Sequence, residues 1–209
     1  MGRYLDPKCR LCRREGEKLF LKGLKCFTEK CPFSKRPYPP GVHGKKQSKP
    51  SYYALQLREK QKVKRMYGMF EKQFKRFFKL AAKSKEPTGR KLLELLERRL
   101  DNVIYRALFA TSREEARQIV RHGFVFISEH RVDIPSYIVK EKEEIYIKGK
   151  EEMIRRIKEN IEVNSKYRSK PDWLSVDKDN LKIVIERLPA KEDLTVSVNE
   201  QLIVELYSK

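Results

Sequence analysis

The chain has 209 residues, of which 49 are Lys or Arg and 29 are Asp or Glu, giving a formal net charge of +20, and 39% are hydrophobic. Its longest stretches without a charged side chain, 37–44 and 50–57, fall far short of the about 20 apolar residues a membrane-spanning helix needs. Arg3, Asp6, Lys8 and Arg10 leave no room for the apolar centre of a signal peptide, and Asp6 stands where a myristoylated terminus wants Ser or Thr. We therefore expect a soluble, cytoplasmic chain in a reducing compartment. Residues 1–90 hold 26 basic and 7 acidic side chains, whereas 91–209 hold 23 and 22. Such a polarised excess repels itself unless a polyanion neutralises it. Nucleic acid is favoured over an anionic membrane or an acidic protein, because each neutralised phosphate releases counterions and adds affinity.

All four cysteines lie within the first 31 residues, as Cys9-x-x-Cys12 and Cys26-x4-Cys31. Two close pairs joined by a loop suit a tetrahedral thiolate centre, each pair giving two ligands from one turn. No His lies between them, so the expected centre is closed and structural: one zinc on Cys9, Cys12, Cys26 and Cys31. Its binding would supply the folding energy of a segment too short and too charged for its own core. Disulfides, free thiols and an iron–sulfur cluster are the alternatives, with disulfides disfavoured in a reducing compartment. Lys8, Arg10, Arg13 and Arg14 surround the first pair and are placed to reach phosphates. Residues 36–46, from Arg36 through three prolines and His43 to Lys45 and Lys46, read as a stiff basic arm in extended course, or as an ordinary linker.

From 51 to 108 the pattern is helical. Ser51 can cap a helix that runs to Met66 and ends at Gly68, with Arg58, Lys62 and Arg65 on one face. The next helix carries Phe70, Phe74, Phe77, Phe78 and Ala81 as a core stripe and Lys72, Arg76, Lys79 and Lys83 as a cationic one. Pro87 breaks it, and Thr88 can cap a helix bearing Leu92, Leu93, Leu95 and Leu96. A short helix opens at Leu100-Asp101. Ser112 and Glu115 form a capping box for the next, which ends at Gly123. Arg113, Arg117 and Arg121 recur every four residues as a ridge suited to phosphates spaced along a backbone. After Gly123 the period becomes two over Phe124-Val125-Phe126-Ile127-Ser128, followed by a turn and a second strand at Arg131-Val132-Asp133. Further strands are expected over 144–148, 173–176 and 181–185, and helices over 150–163 and 198–207. Nothing here spells a base-reading code, so shape and phosphate recognition are expected.

Arg99-Leu100-Asp101, Ser112-Arg113-x-x-Ala116-Arg117-x-x-Val120-x-x-Gly123-x-Val125 and Arg131-Val132 resemble the αL-type RNA-binding module, also found in pseudouridine synthases and tyrosyl-tRNA synthetases. Four further stretches are similar to the bacterial family of the fourth small-subunit ribosomal protein: Gly2-Arg3-Tyr4, Cys9-Arg10-Leu11-Cys12-Arg13-Arg14-Glu15-Gly16, Arg36-Pro37-Tyr38-Pro39-Pro40-Gly41-x-His43-Gly44 and Leu57-Arg58-Glu59-Lys60-Gln61-Lys62. So is the ending Val198-Asn199-Glu200-Gln201-Leu202-Ile203-Val204-Glu205. The resemblance implies direct binding of small-subunit ribosomal RNA at a multi-helix junction early in assembly. It also implies a part in decoding fidelity beside neighbouring ribosomal proteins and, in some bacteria, binding of its own messenger. It implies an α+β fold: a mainly helical domain with an inserted αL-type module of two helices plus a small β-sheet, and an N-terminal zinc knuckle. The expected boundaries are 1–45 for knuckle and arm, 46–97 completed by 164–209 for the helical domain, and 98–163 for the module. The RNA-contact set is Arg3, Arg10, Arg13, Arg14, Arg36, Lys45, Lys46, Arg58, Lys62, Arg65, Lys72, Arg76, Lys79, Arg113, Arg117 and Arg121. One departure is the hairpin turn, where the family has Asn-Gly and this chain has Ser128-Glu129-His130, so a longer or strained turn is expected. Ala107 and Phe109 flank a position where the family often has Gly, which implies a remodelled loop before Ser112.

An enzyme is disfavoured. Arg99-Leu100-Asp101 echoes a pseudouridine synthase motif, but there is no phosphate-binding Gly loop or nucleophile elbow, and Asp101 more simply meets the positive end of a helix dipole. A zinc-dependent DNA regulator is disfavoured too, since no helix-after-zinc repeat follows the cysteines.

Overall fold

The computed structural model describes residues 4–45, 49–193 and 198–208. The expected contacts Arg3 and Lys46 therefore lie outside the described residues. In chain order the helices are α1 (Cys9–Glu15), α2 (Pro32–Lys35), α3 (Tyr52–Met66), α4 (Glu71–Ala82), α5 (Thr88–Glu97), α6 (Leu100–Arg106), α7 (Arg113–Arg121), α8 (Glu151–Ser165) and α9 (Glu200–Tyr207). The strands are β1 (Val125–Ile127), β2 (His130–Arg131), β3 (Glu144–Ile147), β4 (Leu174–Asp177) and β5 (Lys182–Ile185). Contacts divide the chain into one unit of Met1–Leu93 with Val196–Lys209 and another of Glu94–Thr195. Among the described residues no helix is long and apolar enough to cross a membrane.

In the first unit Ser51 caps α3, its Oγ accepting from the Ala54 amide at 3.2 Å. Gly68, at φ +60°, turns the chain out of the helix. α4 buries Phe74, Phe77 and Ala81 as its period requires, whereas Phe70 precedes the helix and is half exposed. Phe78 stacks on Tyr207 of α9, ring centroids 4.5 Å apart. α9 is tied to α3 as well: Gln56 Nε2 donates to Glu205 Oε2 at 2.9 Å, and the Tyr52 hydroxyl donates to the same carboxylate. A Cβ on Gly89 would collide with the Glu200 side chain, so the start of α9 passes where only glycine fits.

The second unit is built on a five-stranded antiparallel sheet in the order β2-β1-β3-β5-β4. Ile104, Ile119, Val120, Val125, Ile145, Ile157, Trp173, Ile183 and Ile185 form its core. β4 and β5 correct the expected boundary. We expected 164–209 to complete the helical domain, but β5 pairs with β3 through Ile145↔Ile183 and extends the module's own sheet. Leu174, Ile183 and Ile185 are buried in that sheet's core. Only the last stretch, carrying α9, joins the helical unit. The other edge also shifts: the division falls within α5, before Glu97, whose carboxylate is buried against Arg106 in the second unit.

The hairpin turn is short and strained rather than longer. Ile127 pairs with His130, leaving only Ser128 and Glu129 in the turn, at φ +46° and +72°. Those are the mirror-image turn conformations that Asn-Gly adopts at little cost. The loop before Ser112 also holds a non-glycine residue at positive φ, Leu108 at +69°. Its carbonyls are met from behind: Asn164 Nδ2 donates to Leu108 O at 2.8 Å, Asn160 to Phe109 O at 3.2 Å and Arg168 to Ala110 O at 2.9 Å.

Candidate nucleic-acid interface

The cations fall into two groups, those that meet acids or carbonyls of the fold and those left at the surface. On α4, Lys72, Arg76, Lys79 and the following Lys83 are all exposed, on the side away from Phe74, Phe77 and Ala81. Lys75 is exposed beside them and escaped the sequence reading, which followed steps of four and three and passed over it. The acid in α4, Glu71, faces elsewhere. Partial burial works against its charge, but hydrogen bonds from the Tyr207 hydroxyl (2.7 Å), Lys60 (2.9 Å) and Lys64 (3.0 Å) bring its carboxyl down to about 2. The α4 cations thus have no carboxylate of their own helix to meet. Arg10, Arg14, Arg36 and Lys45 are exposed as well.

The α3 stripe has a different task. Arg58 donates to Glu15 Oε1 at 3.2 Å, Arg65 pairs with the same oxygen, and Lys62 lies 3.3 Å from Glu17 and 2.9 Å from Glu59. The Glu15 side chain is only 1% exposed; burial pushes its carboxyl above the ordinary value, while Arg58 and Arg65 pull against that shift. Arg58 and Arg65 therefore fasten α1 to α3, and Lys62 holds Glu17 of the chain that follows α1. Arg13 is also engaged: its Nε donates to Tyr38 O at 3.0 Å, with the guanidinium 5.0 Å over the Tyr38 ring. The arm accordingly does not run out extended. It folds back on α1 and turns at Gly44, whose amide donates to Gly41 O at 3.2 Å and whose missing Cβ leaves room for the Pro39 carbonyl.

Cys9 and Cys12 sit on α1, Cys26 ends a 3-10 turn (Gly23–Cys26), and Cys31 caps α2. All four line one small cavity of about 10 Å3, and no disulfide joins them. Burial raises the Cys12 thiol to about 11 and also raises Cys26, with the neighbouring thiols adding to both shifts. Lys22 N donates to Cys26 Sγ at 3.4 Å. Among the described residues, no group of three or more His, Cys, Asp or Glu is gathered closely enough to hold a metal ion as it stands. The donor chemistry nevertheless fits a thiolate-binding cation: four cysteines line one space, three of them are buried, and the upward shift of Cys12 and Cys26 is one a cation reverses.

In the second unit Ser112 Oγ accepts from the Glu115 amide at 3.3 Å, but the Glu115 carboxylate reaches back one residue beyond the cap, to Thr111 N at 2.7 Å and Thr111 Oγ1 at 2.6 Å. Of the expected ridge only Arg121 is exposed. Arg117 is 3.4 Å from Asp101, and Arg113 donates to Asn102 Oδ1 at 2.8 Å with its guanidinium 4.5 Å over the Tyr105 ring. Beneath them lies a polar network the sequence did not show. Arg99 grips Asp101 by two hydrogen bonds of 3.0 and 2.6 Å, and Arg106 grips Glu97 at 2.8 and 2.9 Å. Asp101 is thus buried and held by two arginines, a structural carboxylate without access to a substrate.

An exposed cation face over a packed core, beside other cations held in internal ion pairs, marks a nucleic-acid-binding scaffold. Residues 3–97 match the family described as Ribosomal protein S4/S9 N-terminal domain, and residues 98–145 match the S4 domain. The chain is 51% identical over 209 residues to small ribosomal subunit protein uS4 of Halothermothrix orenii and 54% identical over 209 residues to uS4A of Nitrosomonas europaea. It is 51% identical over 210 residues to uS4 of Thermus thermophilus; in all three cases 100% of both sequences is covered. The chain belongs to the uS4 family of small ribosomal subunit proteins.

Proposed function

We propose that this chain is a structural constituent of the small ribosomal subunit, binds the ribosomal RNA of that subunit, and catalyses no reaction. The observation that carries this is likeness over the full length to proteins named small ribosomal subunit protein uS4. The exposed cation face of α4 supports direct contact with RNA phosphates. We assign the phosphate contacts to Arg10, Arg14, Arg36, Lys45, Lys72, Lys75, Arg76, Lys79 and Arg121, all exposed. The target is a multi-helix junction engaged early in assembly, neighbouring ribosomal proteins share the site, and the protein contributes to decoding fidelity there. Its own messenger is a second RNA of the same kind. Binding of the full chain to small-subunit ribosomal RNA and to duplex DNA of equal charge, across a salt series, tests the assignment. Preference for the ribosomal RNA at physiological salt is expected; equal binding to both overturns it.

The same assignment gives the chain one structural zinc on Cys9, Cys12, Cys26 and Cys31. Its support is that the four cysteines line one cavity. The ion would hold the thiolates ionised and tie α1 to α2, with no part in any reaction. Metal analysis of anaerobically purified protein is expected to find one zinc per chain. Chelation is expected to free four thiols and loosen the segment before residue 45, leaving the second unit folded. Full thiol reactivity before chelation would rule the zinc out.

A further inference from the structure

Between α7 and α8, within the second unit, lies a cavity of about 310 Å3 that neither the core nor the cation faces account for. The pocket opens to solvent past exposed Gln118, His122 and Lys150, and pockets that hold small ligands begin near this size, at about 300 Å3. Ile119, Met153 and Ile157 give it an apolar floor, and His122 and Phe124 form an aromatic wall, ring centroids 6.0 Å apart at 58°. The positions 115, 118, 119 and 122 make one stripe at the helical period, on the side of α7 away from Arg113 and Arg117. Phe124 is braced. Its carbonyl accepts from the Lys148 amide at 2.9 Å, and Gly149 passes so close that a Cβ there would stand 3.0 Å from the ring. At the mouth, Gln118 and Lys150 are exposed.

We propose that this cavity receives one unpaired base of the bound RNA, stacked on Phe124 with the tilted His122 ring at its edge, its polar rim toward the Gln118 amide and the adjoining phosphate on Lys150. This rests on the ribosomal-RNA assignment above and names a contact within it. A base has flat apolar faces and a hydrogen-bonding rim, which matches an apolar slot with an amide at its edge. A bare phosphate would have no use for the floor, and an apolar side chain of a protein would leave Gln118 and Lys150 unmatched. The charge at the mouth agrees. Of its two acids, Glu115 is engaged by Arg156 at 2.7 Å and by Thr111, and Glu152 lies in the first turn of α8, where the helix dipole favours a carboxylate. Lys150 has no ion pair among the described residues.

The test uses the full chain on small-subunit ribosomal RNA. Zero-length ultraviolet cross-linking followed by mass spectrometry is expected to find a nucleotide adduct on His122 or Phe124. Phe124→Leu keeps the apolar packing but removes the stacking face. It is expected to weaken binding about tenfold with the salt slope unchanged, because no phosphate contact is lost. Lys150→Ala is expected to lower the slope by about one. If the unaltered chain fails to prefer ribosomal RNA, the functional assignment falls and this inference with it. If it does prefer that RNA while Phe124→Leu binds equally well, or the altered chain shows a changed slope, this inference alone falls. Adducts confined to other segments, or a cross-link from this segment to a ribosomal protein in the assembled subunit, also overturn it.

Discussion

Arg99 has no exposed surface yet carries a full charge. A guanidinium is tolerated in such a place only when its donors meet an acceptor of matching shape. Asp101 supplies one, with both oxygens engaged by Arg99 at 3.0 and 2.6 Å and a second arginine, Arg117, at 3.4 Å. Removing one member strands the other in a dry interior. Asp101→Ala is expected to destabilise the chain by about 3–5 kcal/mol, read as a lower midpoint in thermal unfolding, with a larger effect than Arg121→Ala at the exposed end of α7. Strain at the hairpin gives an expectation of the opposite sign. Ser128 and Glu129 both occupy the left-handed region, which costs an L-residue with a side chain roughly 1–2 kcal/mol. Replacing the pair with Asn-Gly is expected to stabilise the chain by about 1–2 kcal/mol. An unchanged midpoint would show that the turn is held without strain.

At the scale of elements, Glu71 links α4 to α3 and α9 through Lys60, Lys64 and Tyr207. Its carboxyl is held at about 2 in the folded chain, below the ordinary 4.5. A depressed carboxyl contributes stability that is complete above its unfolded value and lost as pH falls through its folded one. Stability is therefore expected to decline between pH 4.5 and about 2, and Glu71→Gln to remove part of that decline. Parallel slopes for the two proteins would exclude Glu71 as a source. The helices themselves were legible, because caps and apolar stripes are local: Ser51 starts α3, and Phe74, Phe77 and Ala81 mark the buried side of α4. What each cation face meets was not legible. The spacing of Arg58, Lys62 and Arg65 places them together, but nothing in it shows that Glu15 and Glu17, far back in the chain, fold against them. The alternation in 181–185 likewise identified a strand but not its neighbour; a period of two assigns faces, while pairing with β3 is decided by packing at long range. Arg113 and Arg117 read as a ridge for the same reason, since their partners Asn102 and Asp101 become visible only when α6 packs against α7.

For the whole molecule, the excess of 20 positive charges does not act as a uniform cloud. Arg58, Arg65, Arg106 and Arg117 are balanced by carboxylates of the fold and release few counterions when RNA arrives. The α4 cations lie open to solvent, and each phosphate they neutralise frees counterions condensed on the RNA. Salt dependence separates the two groups, because its slope counts the phosphates that are neutralised. Lys72→Ala, Arg76→Ala and Lys79→Ala are each expected to weaken binding to ribosomal RNA and to flatten log affinity against log salt by about 0.7–0.9, with the unfolding midpoint close to that of the unaltered chain. Arg58→Ala and Arg65→Ala are expected to do the reverse. The midpoint falls because Glu15 loses a partner in a nearly dry site, whereas the slope stays. Should the α3 variants flatten the slope as much as the α4 variants, the ion pairs with Glu15 would have to open on binding, and the cation face would extend across both helices.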